Sequence, residues 1–91
     1  SVDEALARNI DVRYFPNPTN GLLNIEINGL ENEETELAVL NLHGQVLLQE
    51  HLGALPSNFR KSIDLSGQAQ GIYFIRLKTA TRSQVDRVAV Q

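Results

Sequence analysis

The chain lacks cysteine, methionine and tryptophan altogether. Without cysteine there is no disulfide frame, thiolate nucleophile or sulfur ligand for a metal, so a folded domain of this size must be held by apolar packing. Aromatic residues are scarce: two tyrosines and three phenylalanines, too scattered along the chain to establish a stacking platform for sugars or bases. Basic charge is not in excess either. Eight Lys and Arg stand against eleven Asp and Glu, a net charge of −3 that offers no general attraction to nucleic acid or to an anionic membrane. No apolar run approaches the roughly 20 residues of a membrane helix, and Ser1-Val2-Asp3-Glu4 has neither the basic nor the apolar region of a secretory leader. A chain that opens on Ser1 with no methionine reads as a segment excised from a longer protein, with any enzymatic or adhesive activity lying upstream.

What is present is the composition of one small soluble domain. The chain has 91 residues, 42% hydrophobic and 21% charged, which allows a single core and excludes a collagen-like or wholly disordered polymer. Leu23, Ile25 and Ile27 alternate with Asn24, Glu26 and Asn28, the period-two pattern of a strand with one wet face. Tyr73, Ile75 and Leu77 repeat it in Gly71–Thr79, where Phe74 interrupts an otherwise wetter opposite face. Strands are also expected over 11–15, 37–42, 46–48, 58–65 and 84–90. The breaks between them are Pro16 to Gly21, Gly29 with the acidic 31–36 run, a tight His43-Gly44 hairpin, Gly53 to Ser57, and Ser66 to Gly71. Residues 1–10 read as a linker or loose lead-in, and 11–91 as the domain. About seven short strands without a long amphipathic helix make an all-β, antiparallel β-sandwich, since a single open sheet would leave one apolar face wet.

Little here resembles catalytic chemistry. His43 and His51 are the only imidazoles. His43 beside Gly44 reads as an exposed turn residue and His51 beside Glu50 as an exposed strand-end pair. The serines lack the glycines of a nucleophile elbow, and no phosphate-binding loop is present. Glu31, Glu33, Glu34 and Glu36 lack the alternation and the turning glycine of an EF-hand and read as a solvated loop. Charge is nevertheless uneven: residues 1–36 carry a net −6, whereas Arg76, Lys78, Arg82 and Arg87 against Asp86 give residues 76–91 a net +3. That positive end either faces an acidic partner or guards the terminal strands against aggregation.

Four segments in order resemble the type A C-terminal sorting domain of the type IX secretion system (Por secretion system) of Gram-negative bacteria. They are Tyr14-Phe15-Pro16-Asn17-Pro18-Thr19-Asn20-Gly21, Leu40-Asn41-Leu42-His43-Gly44-Gln45-Val46, Gly71-Ile72-Tyr73-Phe74-Ile75-Arg76-Leu77, and Arg87-Val88-Ala89-Val90-Gln91. The resemblance spans residues 14–91 and rests most on the Pro-Asn-Pro-Thr-Asn-Gly run. It implies an immunoglobulin-like sandwich acting as a non-catalytic tag, without cofactor or metal, that directs an upstream cargo from the periplasm across the outer membrane to the cell surface or beyond. The implied partners are the translocon, an outer-membrane shuttle protein, and a sortase-like peptidase that removes the tag. No membrane insertion or nucleic acid is involved. The motif positions carried over are Pro16, Asn17, Pro18 and Gly21, Gly44, Gly71 and Tyr73, and Arg87, Val88 and Val90. The terminal strand is expected to offer its edge and Arg87 to the machinery by strand addition. The alternative reading is a surface adhesive or carbohydrate-binding β-sandwich.

Overall fold

The computed structural model describes residues 10–91, so the reading of residues 1–10 as a lead-in lies, but for Ile10, outside the described residues. Seven strands follow one another: β1 Asp11–Phe15, β2 Leu22–Asn28, β3 Glu34–Leu40, β4 Val46–Ala54, β5 Phe59–Asp64, β6 Gly71–Lys78 and β7 Ser83–Val90. They form a three-stranded sheet ordered β1-β2-β5 and a four-stranded sheet ordered β4-β3-β6-β7, every pairing antiparallel. The chain changes sheet between β2 and β3, between β4 and β5, and again between β5 and β6, as an immunoglobulin-like sandwich does.

The alternation read in the sequence decides which faces meet. Leu23, Ile25 and Ile27 from β2 and Ile63 from β5 turn inward against Leu37 and Val39 of β3, Tyr73, Ile75 and Leu77 of β6, and Val88 and Val90 of β7. β3 and β4 exceed their expected limits by several residues. β3 begins at Glu34 because Thr35 continues the inward series of Leu37 and Val39; it is fully buried, with its hydroxyl donating to the Glu33 carbonyl at 2.9 Å. β4 runs on to Ala54 through Gly53, which takes φ +75° beside a register shift opposite Thr35/Glu36. A glycine in the left-handed region there serves a bulge rather than ending the strand.

Each lateral seam between the sheets is closed by one polar pair from the edge strands. On one side the Tyr14 hydroxyl of β1 donates to Asp86 Oδ2 of β7 at 2.7 Å. On the other, Lys61 Nζ of β5 meets Glu50 Oε2 of β4 at 2.8 Å. Three of the four 31–36 acids are likewise engaged separately. Glu31 accepts the Gly29 N–H, Glu33 pairs with Arg82 at 2.7 Å, and Glu34 meets His51 at 2.9 Å. The expected Glu50–His51 pair does not form, because neighbours in a strand point to opposite faces and each finds its partner on a different element.

Candidate functional site

All four motif segments converge on one pole of the sandwich. The β1–β2 connection over residues 16–21 follows the Phe15↔Asn24 pair, the β3–β4 hairpin follows Leu40↔Val46, and Gly71 at the start of β6 lies opposite Val90 at the end of β7. Asp11, where β1 starts, is paired with Asn28 at the opposite pole. With eight residues in β6, the poles are about 25 Å apart.

Residues 17–19 form a strap along the outer edge of β7. Ala89 N–H donates to Asn17 Oδ1 at 3.0 Å, Thr19 N–H to the Ala89 carbonyl at 2.9 Å, and Gln91 N–H to the Thr19 carbonyl at 2.9 Å. Asn17 Nδ2 reaches the Arg87 carbonyl at 3.4 Å. Thr19 is completely buried; its hydroxyl accepts the Gly21 N–H and donates to the Leu22 carbonyl, which fixes the strap to the start of β2. Both the Phe15–Pro16 and Asn17–Pro18 peptide bonds are cis. The β7 edge, expected to be open for strand addition, is therefore already occupied over its last residues. An added strand competes with Asn17 and Thr19 for the same backbone groups, from the Arg87 carbonyl to the Gln91 N–H.

Gly21 has φ +145°, and a side chain there would lie 3.0 Å from Ser66 Cβ and 3.1 Å from its Cα. The strap thus comes close to the β5–β6 connection, where Leu65 N–H donates to the Gly21 carbonyl at 2.7 Å. Gly44 takes φ +80° in open space. Its hairpin is built by Asn41, whose Oδ1 accepts from the N–H groups of His43 and Gln45 while Nδ2 donates to Gln45 Oε1. Tyr73 is buried opposite Val88, its hydroxyl donating to the Ala69 carbonyl. Pro16, Asn17, Pro18, Gly21, Gly71, Tyr73, Arg87, Val88 and Val90 are thus neighbours, with Gly44 on the adjoining hairpin at the same pole.

Thr19, Asn41, Tyr14 and Asp86 are structural determinants that motif reading passed over. An Asn with residues two and four ahead to cap was a local signal for Asn41. The Tyr14–Asp86 contact joins residues 72 apart and had none. Asp86 lies on the inward face, accepting from Tyr14 and from Gln84 Nε2, whereas Arg87 points outward and is exposed. Burial above all, then the hydrogen bond and charge of Asp86, hold the Tyr14 hydroxyl well above the ordinary tyrosine value. Among the described residues no group of three or more His, Asp or Glu side chains is placed to hold a metal ion.

Two facing sheets with a clasped terminal strand define the class, a small antiparallel β-sandwich domain. A family model described as a secretion system C-terminal sorting domain matches residues 13–91. The chain belongs to this family, the C-terminal sorting domains of type IX secretion, whose members are generally non-catalytic signals for export across the outer membrane by the type IX machinery. A search of curated proteins found no match.

Proposed function

We propose that this domain is an address read at its motif pole by the shuttle protein and translocon of type IX secretion, with cargo joined upstream of β1. The observation that carries this reading is the gathering of four separated motif segments around the end of β7, while Asp11 lies at the other pole. Cargo attached through residues 1–10 then leaves the motif pole unobstructed as the protein passes from the periplasm to the surface. A sortase-like peptidase would act on the lead-in, so its chemistry needs nothing from this chain. The carbohydrate-binding alternative has one half-exposed ring, Phe15, over a depression of about 350 Å³ bordered by Asn24, Arg60 and Ser62. One ring without an opposing aromatic supports it less well than the converging motifs support sorting.

The test is a signal-bearing periplasmic reporter fused to residues 1–91 in a host with a working type IX system. Translocon-dependent appearance of the reporter at the surface or in the medium is expected. Retention of a folded fusion in the periplasm, with the host's own cargo still exported, would overturn the reading.

A further inference from the structure

We propose that the outer face of the four-stranded sheet, at the motif pole, docks an acidic polypeptide segment bearing large apolar side chains. This rests on the sorting reading above and names the surface and partner chemistry it would use. Because Leu37, Val39, Tyr73, Ile75, Val88 and Val90 turn inward, their strand neighbours turn out. The register then places Leu40, Phe74 and Arg87 in one row across β3, β6 and β7, with Val46 beside Leu40 at the β4 end. The next row toward the pole is Ile72 and Ala89, and the next away from it is Ala38, Arg76 and Val85. Val46 and Val85 are 47% and 54% exposed. Leu40, Ile72, Phe74 and Ala89 are half-buried among them and Ala38 is buried, so the band is a partly covered apolar strip on a face directed away from the core.

The cations on this face set it apart. Arg13, Arg60, Lys61 and Arg82 each have an acidic partner within the chain, whereas Arg76, Arg87 and, at the far end of β6, Lys78 form no ion pair among the described residues. Two uncompensated guanidinium groups thus flank Phe74 in a protein of net charge −3. Depressions adjoin Ile72 on either side. One of about 360 Å³ is bordered by Asn17, Arg87, Val88 and Ala89, and one of about 180 Å³ by Leu42, Gly71 and Tyr73. The first hollow is mostly polar and carries the Arg87 guanidinium, the second is mostly apolar, and together they fit a carboxylate a few residues from a large aliphatic or aromatic side chain.

An anionic lipid leaflet is the lesser fit. Each basic side chain strengthens such binding by roughly fivefold, so Arg76, Lys78 and Arg87 together give about 125-fold, but half-buried side chains lying flush in a sheet do not insert. A polypeptide uses the hollows and the forks together.

The experiment has two arms. In the first, isotope-labelled protein of all 91 residues is titrated with a short synthetic peptide in which glutamates alternate with leucine and phenylalanine. A lysine-for-glutamate peptide and phosphatidylglycerol vesicles are titrated alongside. Amide shifts confined to residues 38–46, 72–76 and 85–89 are expected. The Arg76→Glu/Arg87→Glu double variant, its circular dichroism unchanged, should bind at least about tenfold more weakly, and Arg13→Glu on the other sheet as well as the parent. In the second arm the reporter fusion carries the same substitutions, and the double reversal alone is expected to remain periplasmic. The inference is overturned by shifts elsewhere or none, by equal binding of the lysine peptide, by vesicle binding without peptide binding, or by full export of the double variant. If the parent fusion itself is not exported, sorting fails separately and the titration decides this surface alone.

Discussion

Tyr14 and Asp86 meet in the gap between the sheets, where a hydroxyl shielded from water donates to a carboxylate. A hydrogen bond to a charged group contributes about 1.5–3 kcal/mol, so Tyr14→Phe is expected to lower the unfolding free energy by about 2 kcal/mol in denaturant titrations. The same contact has a pH signature. The folded state holds Tyr14 protonated above its ordinary value, so this stabilisation is complete below the unfolded pKa near 10. As pH rises past 10 the unfolded chain releases this proton and the folded chain does not. Stability should therefore fall by up to about 1.4 kcal/mol per pH unit more steeply in the parent than in Tyr14→Phe. Parallel pH profiles would remove the contact from the account. The two motif glycines separate a conformational requirement from a spatial one. Gly44→Ala meets only the unfavourable φ, about 1 kcal/mol, whereas Gly21→Ala adds a tight contact that Ser66 must yield to and is expected to cost about 2 kcal/mol by denaturant unfolding.

The strap and β7 behave as one element although 70 residues separate Asn17 from Arg87. Edge strands need protection from unwanted pairing, and here a connecting segment supplies it by borrowing the edge's own donors and acceptors. Asn17→Ala removes the acceptor of the Ala89 N–H. Hydrogen exchange at Ala89 should then quicken markedly relative to Tyr73 in the buried neighbour strand, with about 1 kcal/mol lost from global stability. Exchange at Ala89 that stays as slow as in the parent would mean that the strap does not cap the edge in solution.

The molecule as a whole is one thin core between two sheets, with the motif segments at one pole and the start of β1 at the other. Ile75 is fully buried in that core, so Ile75→Ala is expected to cost about 2–5 kcal/mol, a large share of what a domain of this size has. Val85→Ala, on the exposed face of the same sheet, should stay within about 0.5 kcal/mol in the same unfolding assay. If Val85→Ala weakens export while leaving stability intact, the outer face acts in recognition and not in folding.

Period-two alternation in Leu23–Ile27 and Tyr73–Leu77, with glycine and proline between runs, was enough to read strands and a two-layer core, and the motif segments, above all Pro16 to Gly21, carried the family resemblance, because those features depend on neighbours in the chain. Thr35 and Gly53 misled that reading, since a buried hydroxyl satisfied by a carbonyl and a bulge at a glycine both look like interruptions in one dimension. The strap across β7, the split of the positive end into a paired Arg82 and an outward Arg76 and Arg87, and the inward Asp86 were settled only when strands distant in sequence became neighbours across and between sheets. Local side-chain alternation encodes which face is wet; contacts spanning some 70 residues depend on how the chain crosses from one sheet to the other, and no local pattern records that.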